Sequence, residues 1–127
     1  INKLKSEKKN IIVPKISNNE LVHIAINDKT EFSINEYDIE EPNNGNSFII
    51  ENLDLIFIPL LAYDLEGHRV GYGMGYYDKF LKLTNKSSLK IGLSFFDPIN
   101  KIQDIDDNDV KLDYCITPTQ VHKFDHI

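Results

Sequence analysis

The chain is short of most features that would assign it at a glance. Its single cysteine, Cys115, leaves no internal disulfide framework and no zinc site built on several cysteines, so a reducing compartment, the cytoplasm, is the natural setting. It has no basic excess: 14 Lys and Arg against 20 Asp and Glu give a net charge of −6, which supplies no counterion-releasing surface for nucleic acid. The same balance permits nucleotide binding, because one local cluster of donors can hold phosphates on an acidic protein. No run approaches the roughly 20 apolar residues of a membrane-spanning helix. Residues 1–10, INKLKSEKKN, lack the apolar stretch of a signal peptide. Two common phosphate fingerprints, G-x-G-x-x-G and G-x-x-x-x-G-K-[ST], are also missing. The four histidines show no metal-ligand spacing.

What is present suits one globular domain. The length of 127 residues allows a single core, and 41% hydrophobic with 27% charged residues is ordinary for such a fold. Residues 1–9 read as the end of a helix. Ile11, Ile12 and Val13 form a short buried strand closed by Pro14, and residues 21–26 alternate as a strand with one buried face. Residues 40–47 are a loop cluster. Residues 53–61, apolar after Asp54, read as a central parallel strand. Tyr76, Phe80 and Leu83 with Tyr77 and Leu81 give a helix an apolar face to about residue 83. Residues 89–96 read as a strand, 104–113 as an acidic loop, and 114–117 as a last strand stopped by Pro118. Cys115 is expected to pack in that strand and Asp64 to serve a turn. The alternation of strands and helical segments predicts an α/β fold, a mostly parallel sheet flanked by helices in a single domain.

The most informative stretch follows the strand at residues 53–61. It reads Gly67-His68-Arg69-Val70-Gly71-Tyr72-Gly73-Met74-Gly75-Tyr76-Tyr77-Asp78-Lys79-Phe80-Leu81. Alternating glycines at a strand-to-helix corner admit φ > 0 and let a ligand approach the backbone. Their N–H groups, with the first turn of the next helix, suit anions and phosphates above all. Arg69 adds a planar guanidinium, and Asp78 a hard oxygen ligand for a magnesium ion that accompanies nucleotide phosphates. A glycine-rich connector without a ligand is the plainer alternative.

Together with Leu55-Ile56-Phe57-Ile58-Pro59, Ala62-Tyr63-Asp64, the upstream Glu41-Pro42 and the downstream Asn108-Asp109-Val110-Lys111-Leu112-Asp113, this stretch resembles the signature of the 5-formyltetrahydrofolate cyclo-ligase family. The resemblance runs over nearly the whole chain. It implies ATP-dependent cyclisation of 5-formyltetrahydrofolate to 5,10-methenyltetrahydrofolate through phosphorylation of the formyl oxygen. By the same resemblance Arg69, Val70, Gly71, Tyr72, Gly73, Met74, Gly75, Tyr76 and Tyr77 bind the nucleotide phosphates, with Arg69 and Tyr76 nearest the chemistry. Asp78 and Asp109 match the family's magnesium carboxylates, Asp107 being the alternative to Asp109. The implied partners are ATP, magnesium and the folate substrate, with neither nucleic acid nor membrane, and the complete protein is expected to be a monomer. Family members carry a further, largely helical N-terminal region, so residues 1–127 correspond to the C-terminal two thirds. A fragment that binds nucleotide or folate without turnover stays open at this point. A sugar-phosphate or CoA-handling relative is disfavoured by Tyr76-Tyr77-Asp78.

Overall fold

Local sequence explains most of the elements in the computed structural model, which describes residues 1–71, 76–105 and 109–125, the side chain of Lys5 excepted. Two compact units are formed, Ile1–Ile50 and Glu51–Ile127. In the first, helix α1 (Asn2–Ser6) precedes an antiparallel ribbon of β1 (Ile11–Ser17) and β2 (Glu20–Ile26). The two strands meet at Asn18 and Asn19, with φ of 50° and 63°, the residue type and conformation a tight two-residue hairpin turn requires. A second ribbon joins β3 (Phe32–Ile34) to β4 (Glu40–Pro42). Glu41 is buried, and its Oε2 accepts the Ile16 N–H at 2.6 Å, while Lys15 Nζ donates to the carbonyls of Pro42 and Asn43 at 2.9 and 2.8 Å.

Pro14 does not close β1, as the sequence led one to expect; it sits inside the strand opposite His23. The backbone explains the tolerance. His23 O accepts from Phe48 N at 2.8 Å, so at this pair the polar groups point away from β1 and a residue without N–H costs nothing there. Similarly, β4 forms inside the stretch read as a loop.

The second unit holds a four-stranded sheet in the order β10 (Val121–Lys123), β9 (Tyr114–Ile116), β8 (Leu89–Leu93) and β5 (Leu55–Pro59). It also contains a short ribbon of β6 (Ala62–Tyr63) and β7 (Arg69–Val70), and helix α2 (Tyr76–Leu83). The fold is mixed α/β. Among the described strands, β5 with β8 and β8 with β9 pair parallel, with one further parallel bridge between Asp64 and Ile99; β10 and the three ribbons are antiparallel. The mostly parallel sheet flanked by helices is corrected on that point. Short connectors such as Thr117 to Gln120 can only turn the chain straight back, whereas a parallel return needs a long crossover of the kind that α2 supplies between β5 and β8. Within the described sheet β5 is an edge strand rather than a central one, with Ile56 and Ile58 buried and Leu55 and Phe57 exposed.

The core of this unit gathers Ile58, Tyr63, Leu112, Cys115, Phe80, Leu81 and Phe124. Each such side chain removed from water contributes roughly 1.5–3 kcal/mol before the ordering cost. Cys115 is a packed residue of β9, as its apolar surroundings suggested, and burial pushes its thiol pKa up. Lys90 is buried as well, its Nζ donating to the carbonyl of Ser88 at 2.9 Å, so a charge inside the strand closes the turn after α2. Leu83, expected on the apolar face of α2, is instead exposed, and Thr84 takes the buried position with its Oγ1 donating to Leu81 O at 2.8 Å.

Candidate functional site

The site is assembled on the β6–β7 hairpin. Its turn is organised by Asp64, which is fully buried. Oδ1 accepts the N–H groups of Glu66 and His68 at 2.9 and 3.0 Å, and Oδ2 accepts the N–H of Ile102 at 3.1 Å and faces His68 Nδ1 at 3.2 Å. Burial by itself would raise the carboxyl pKa; the three N–H groups and the charge of His68 outweigh it and hold the group below its ordinary value. A side chain expected to serve a turn therefore does so, and also ties the hairpin to a segment 38 residues later.

Gly67 completes the turn with φ of 91°. A Cβ there would lie 2.9 Å from Leu112 O and 3.0 Å from Phe124, so glycine is required by conformation and by space. Leu112 N donates to Gly67 O at 2.8 Å, which brings the segment carrying Asp109 against the hairpin.

The next strand, β7, presents Arg69. Its side chain is only 4% exposed, and Nη2 donates to Asp78 Oδ1 at 2.6 Å, while Nε is buried with no partner among the described residues. Asp78 lies in the first turn of α2, where the helix's partial positive charge favours a carboxylate. Gly71 is not in the left-handed region, and a Cβ on it would meet Arg69 Nη1 at 3.4 Å, an ordinary contact, so neither conformation nor space within the described residues demands glycine there. Tyr77 packs edge-on against Phe80 with ring centroids 6.4 Å apart, and burial pushes its phenol pKa up against the opposing pull of Arg69. Tyr76 is half-buried at the start of the helix. The structure thus brings Arg69, Val70, Gly71, Tyr76, Tyr77 and Asp78 to one corner. Tyr72, Gly73, Met74 and Gly75 lie outside the described residues, as does Asp107.

Beside this corner opens an apolar cleft of about 430 Å³ at the carboxyl ends of β5 and β8, lined by Phe57, Pro59, Leu60, Leu61, Leu93, Ser94, Phe95 and Phe96. Phe95 and Phe96 are 85% and 72% exposed. Leu61 joins cleft and corner, its N–H donating to Val70 O at 2.8 Å. Sequence reading missed these residues because it continued the strand to Phe96. The available signal was two adjacent aromatics just before Asp97-Pro98.

Among the described residues no three His, Cys, Asp or Glu side chains converge on a metal-sized point. Magnesium, a hard ion that keeps waters and takes further oxygens from phosphates, needs only one or two carboxylates from a protein, and Asp78, partly exposed in the first turn of α2, is a carboxylate of that kind. No described helix is long and apolar enough to cross a membrane.

A mixed sheet whose parallel strands β5 and β8 end at an apolar cleft, beside a corner that holds a buried arginine, defines an α/β protein with its candidate site at the carboxyl ends of those strands. The sequence pattern of the 5-formyltetrahydrofolate cyclo-ligase family matches residues 1–118, and the chain belongs to that family. It is 48% identical to the 5-formyltetrahydrofolate cyclo-ligase of Mycoplasma genitalium over 52 residues, 41% of this chain and 32% of that protein. It is 30% identical to a probable 5-formyltetrahydrofolate cyclo-ligase of Schizosaccharomyces pombe over 91% of this chain and 64% of the relative. Its fold is similar to that of the 5,10-methenyltetrahydrofolate synthetase of Aquifex aeolicus, with a TM-score of 0.80 at 29% identity, covering 99% of this chain and 66% of the other. The chain therefore spans about two thirds or less of the length of these relatives.

Proposed function

We propose that this chain carries the nucleotide corner and part of the folate site of an enzyme that closes 5-formyltetrahydrofolate to 5,10-methenyltetrahydrofolate at the expense of ATP. The observation that carries the reading is Arg69, buried at the junction of β7 and α2 with an Nε that has no partner among the described residues, beside a cleft whose rim is bonded to Val70. In this reading the N–H groups from Val70 to Tyr77, including Tyr72, Gly73, Met74 and Gly75, cradle the phosphates with Arg69. Tyr76 faces the reacting formyl group. Phe95, Phe96 and Phe57 offer flat faces to a pterin ring. Magnesium, when bound by Asp78 and Asp109, would neutralise phosphate charge.

The chemistry suits such a site. A formyl oxygen is a poor leaving group until it accepts the γ-phosphoryl group, with release of ADP. N10 then attacks the formyl carbon and phosphate departs with that oxygen. Phosphoryl transfer asks the protein mainly for positioning and charge neutralisation. Buried Arg69 supplies charge, and the Asp64-locked hairpin supplies position. The 127 residues are read as one catalytic piece. The site is completed by polypeptide equivalent to the third of the relatives' length that they do not span.

The test is the absorbance of methenyltetrahydrofolate when 5-formyltetrahydrofolate, ATP and magnesium are mixed with residues 1–127, alone and in a chimaera carrying that third from the Aquifex aeolicus synthetase. Little turnover alone and robust turnover by the chimaera are expected. No product from either, with both folded, would overturn the reading. A fragment that binds without turning over is the second reading, favoured by the fraction of its relatives' length that the chain spans.

A further inference from the structure

The proposed function assigns Arg69 to phosphate and Asp78 to magnesium, and the inference drawn here rests on that assignment. In this structure the two groups are bonded to each other at 2.6 Å, so both roles compete for the same atoms. The geometry of the pair is uneven. Asp78 engages Nη2 through one oxygen, while Nε, on the same edge of the planar guanidinium, has no partner among the described residues. A carboxylate bound by one tooth of the fork leaves the other open, whereas a phosphate, with two oxygens suitably spaced, can take both.

Burial sharpens the competition. The Arg69 side chain is 4% exposed and that of Asp78 is 36% exposed. A buried cation that loses its partner without replacement carries an uncompensated charge, a costly state. Asp78, in the first turn of α2 and facing water over a third of its side chain, is the member that a hydrated cation can reach.

We propose that the Arg69–Asp78 pair is exchanged on binding: phosphate replaces Asp78 on the Nε–Nη2 edge of Arg69 as magnesium replaces Arg69 on Asp78. Metal alone would have to strip the carboxylate from a buried guanidinium, and metal-free nucleotide would have to displace a carboxylate that then faces its own negative charge. Arriving together, each ligand takes the group that the other releases. The pair thereby makes metal and nucleotide binding mutually dependent, and the coupling is reciprocal. It also keeps the corner neutral and ordered in between, so that anions lacking the metal are discriminated against.

The experiment is calorimetry of residues 1–127 with ATP, in excess magnesium and in EDTA, joined to titration of Mn2+ alone followed by water proton relaxation. Wild-type protein is expected to bind ATP with magnesium at least about tenfold more tightly than in EDTA, within the usual range of such couplings. In Asp78→Asn, which keeps an acceptor for Nη2, affinity in EDTA should rise and the ratio collapse. In Arg69→Gln, ATP should be lost while Mn2+ alone binds roughly tenfold more tightly than to wild type, since Asp78 is released. A merely structural pair predicts losses in both variants and a gain in neither. Wild-type binding of ATP with magnesium, without the gain in either folded variant, would overturn the exchange and leave the proposed function standing. Failure of wild type to bind ATP under both conditions would overturn the nucleotide assignment and the exchange with it. The Mn2+ titration of Arg69→Gln decides independently should Asp78→Asn prove unfolded by circular dichroism.

Discussion

Two adjoining parts of the second unit follow opposite plans. The β6–β7 hairpin is locked: Asp64 is fully buried and holds three backbone N–H groups, Gly67 fits against Leu112 and Phe124 without room for a methyl, and Arg69 is almost sealed. The cleft beside it is open, and two of its aromatics, Phe95 and Phe96, stand mostly in water. The contrast fits the ligands proposed for each part. A charged anion needs fixed donors and a fixed cation, because electrostatic gain depends on groups that are oriented before binding. A flat aromatic ring needs apolar area, which tolerates some play.

The contrast can be broken most severely at Asp64. Asp64→Ala should remove about 3–5 kcal/mol, because the N–H groups of Glu66, His68 and Ile102 all lose their acceptor inside the protein. Urea unfolding checks this, and a change under 1 kcal/mol would show the turn to be held by other means. The pH dependence follows from the lowered carboxyl pKa. The stability that Asp64 supplies is complete above its ordinary value of 3.8 and is lost as the pH falls through its lower folded-state value; Asp64→Asn should flatten that acid limb.

Gly67→Ala comes next, at about 3 kcal/mol, combining a left-handed φ with contacts at 2.9 and 3.0 Å. Because the strain falls on the hairpin that carries Arg69, ATP affinity should drop in the fraction that remains folded, measured by calorimetry below the melting temperature. Unchanged affinity would mean that the corner does not depend on the hairpin turn.

Phe95→Ala probes the other plan. With the side chain 85% exposed, stability should change by less than about 0.5 kcal/mol. Affinity for 5-formyltetrahydrofolate should fall roughly tenfold, as for an aromatic anchor at a binding surface. Fluorescence titration of the folate tests this, and a stability loss without a binding loss would reverse the assignment of the cleft.

His23, in the first unit, sets the smallest effect and a reference outside both regions. Burial lowers its pKa from 6.5, so the unfolded chain binds the extra proton first, and stability should decline as the pH falls from 6.5 through the folded-state value. Melting temperatures from pH 7 to 5 should show that slope in wild type and lose it in His23→Gln.

Much of this was legible in the residues. The apolar strand at residues 53–61, the glycine run and the amphipathic start of α2 follow from local patterns, as does the packed Cys115, so β5, α2 and β9 lie where expected within a residue or two at their ends, though β5 is at the edge of the described sheet and not at its centre. The corner formed by Arg69, Gly71 and Asp78 could be named from sequence because its parts lie within ten residues of one another and residue type alone states their chemistry. Pairing of distant elements could not be named that way. Pro14 reads as a strand stop until β2 shows which side of β1 carries the hydrogen bonds, and Pro118 read as a stop hid β10. The β6–β7 ribbon was not read from the sequence, because strands of two residues carry no periodicity.

The sequence by itself determined the chemistry available: carboxylates, a guanidinium and glycines concentrated at one strand-to-helix corner of an acidic α/β chain. Only the tertiary structure decided how those groups are spent. It bound Asp64 to Ile102, set Arg69 on Asp78 with Nε left without a partner among the described residues, and turned Phe95 and Phe96 outward at the end of β8. The reason is range. Backbone preference and side-chain periodicity act over a few residues, whereas burial and hydrogen bonding are settled between segments that meet only when the chain is folded.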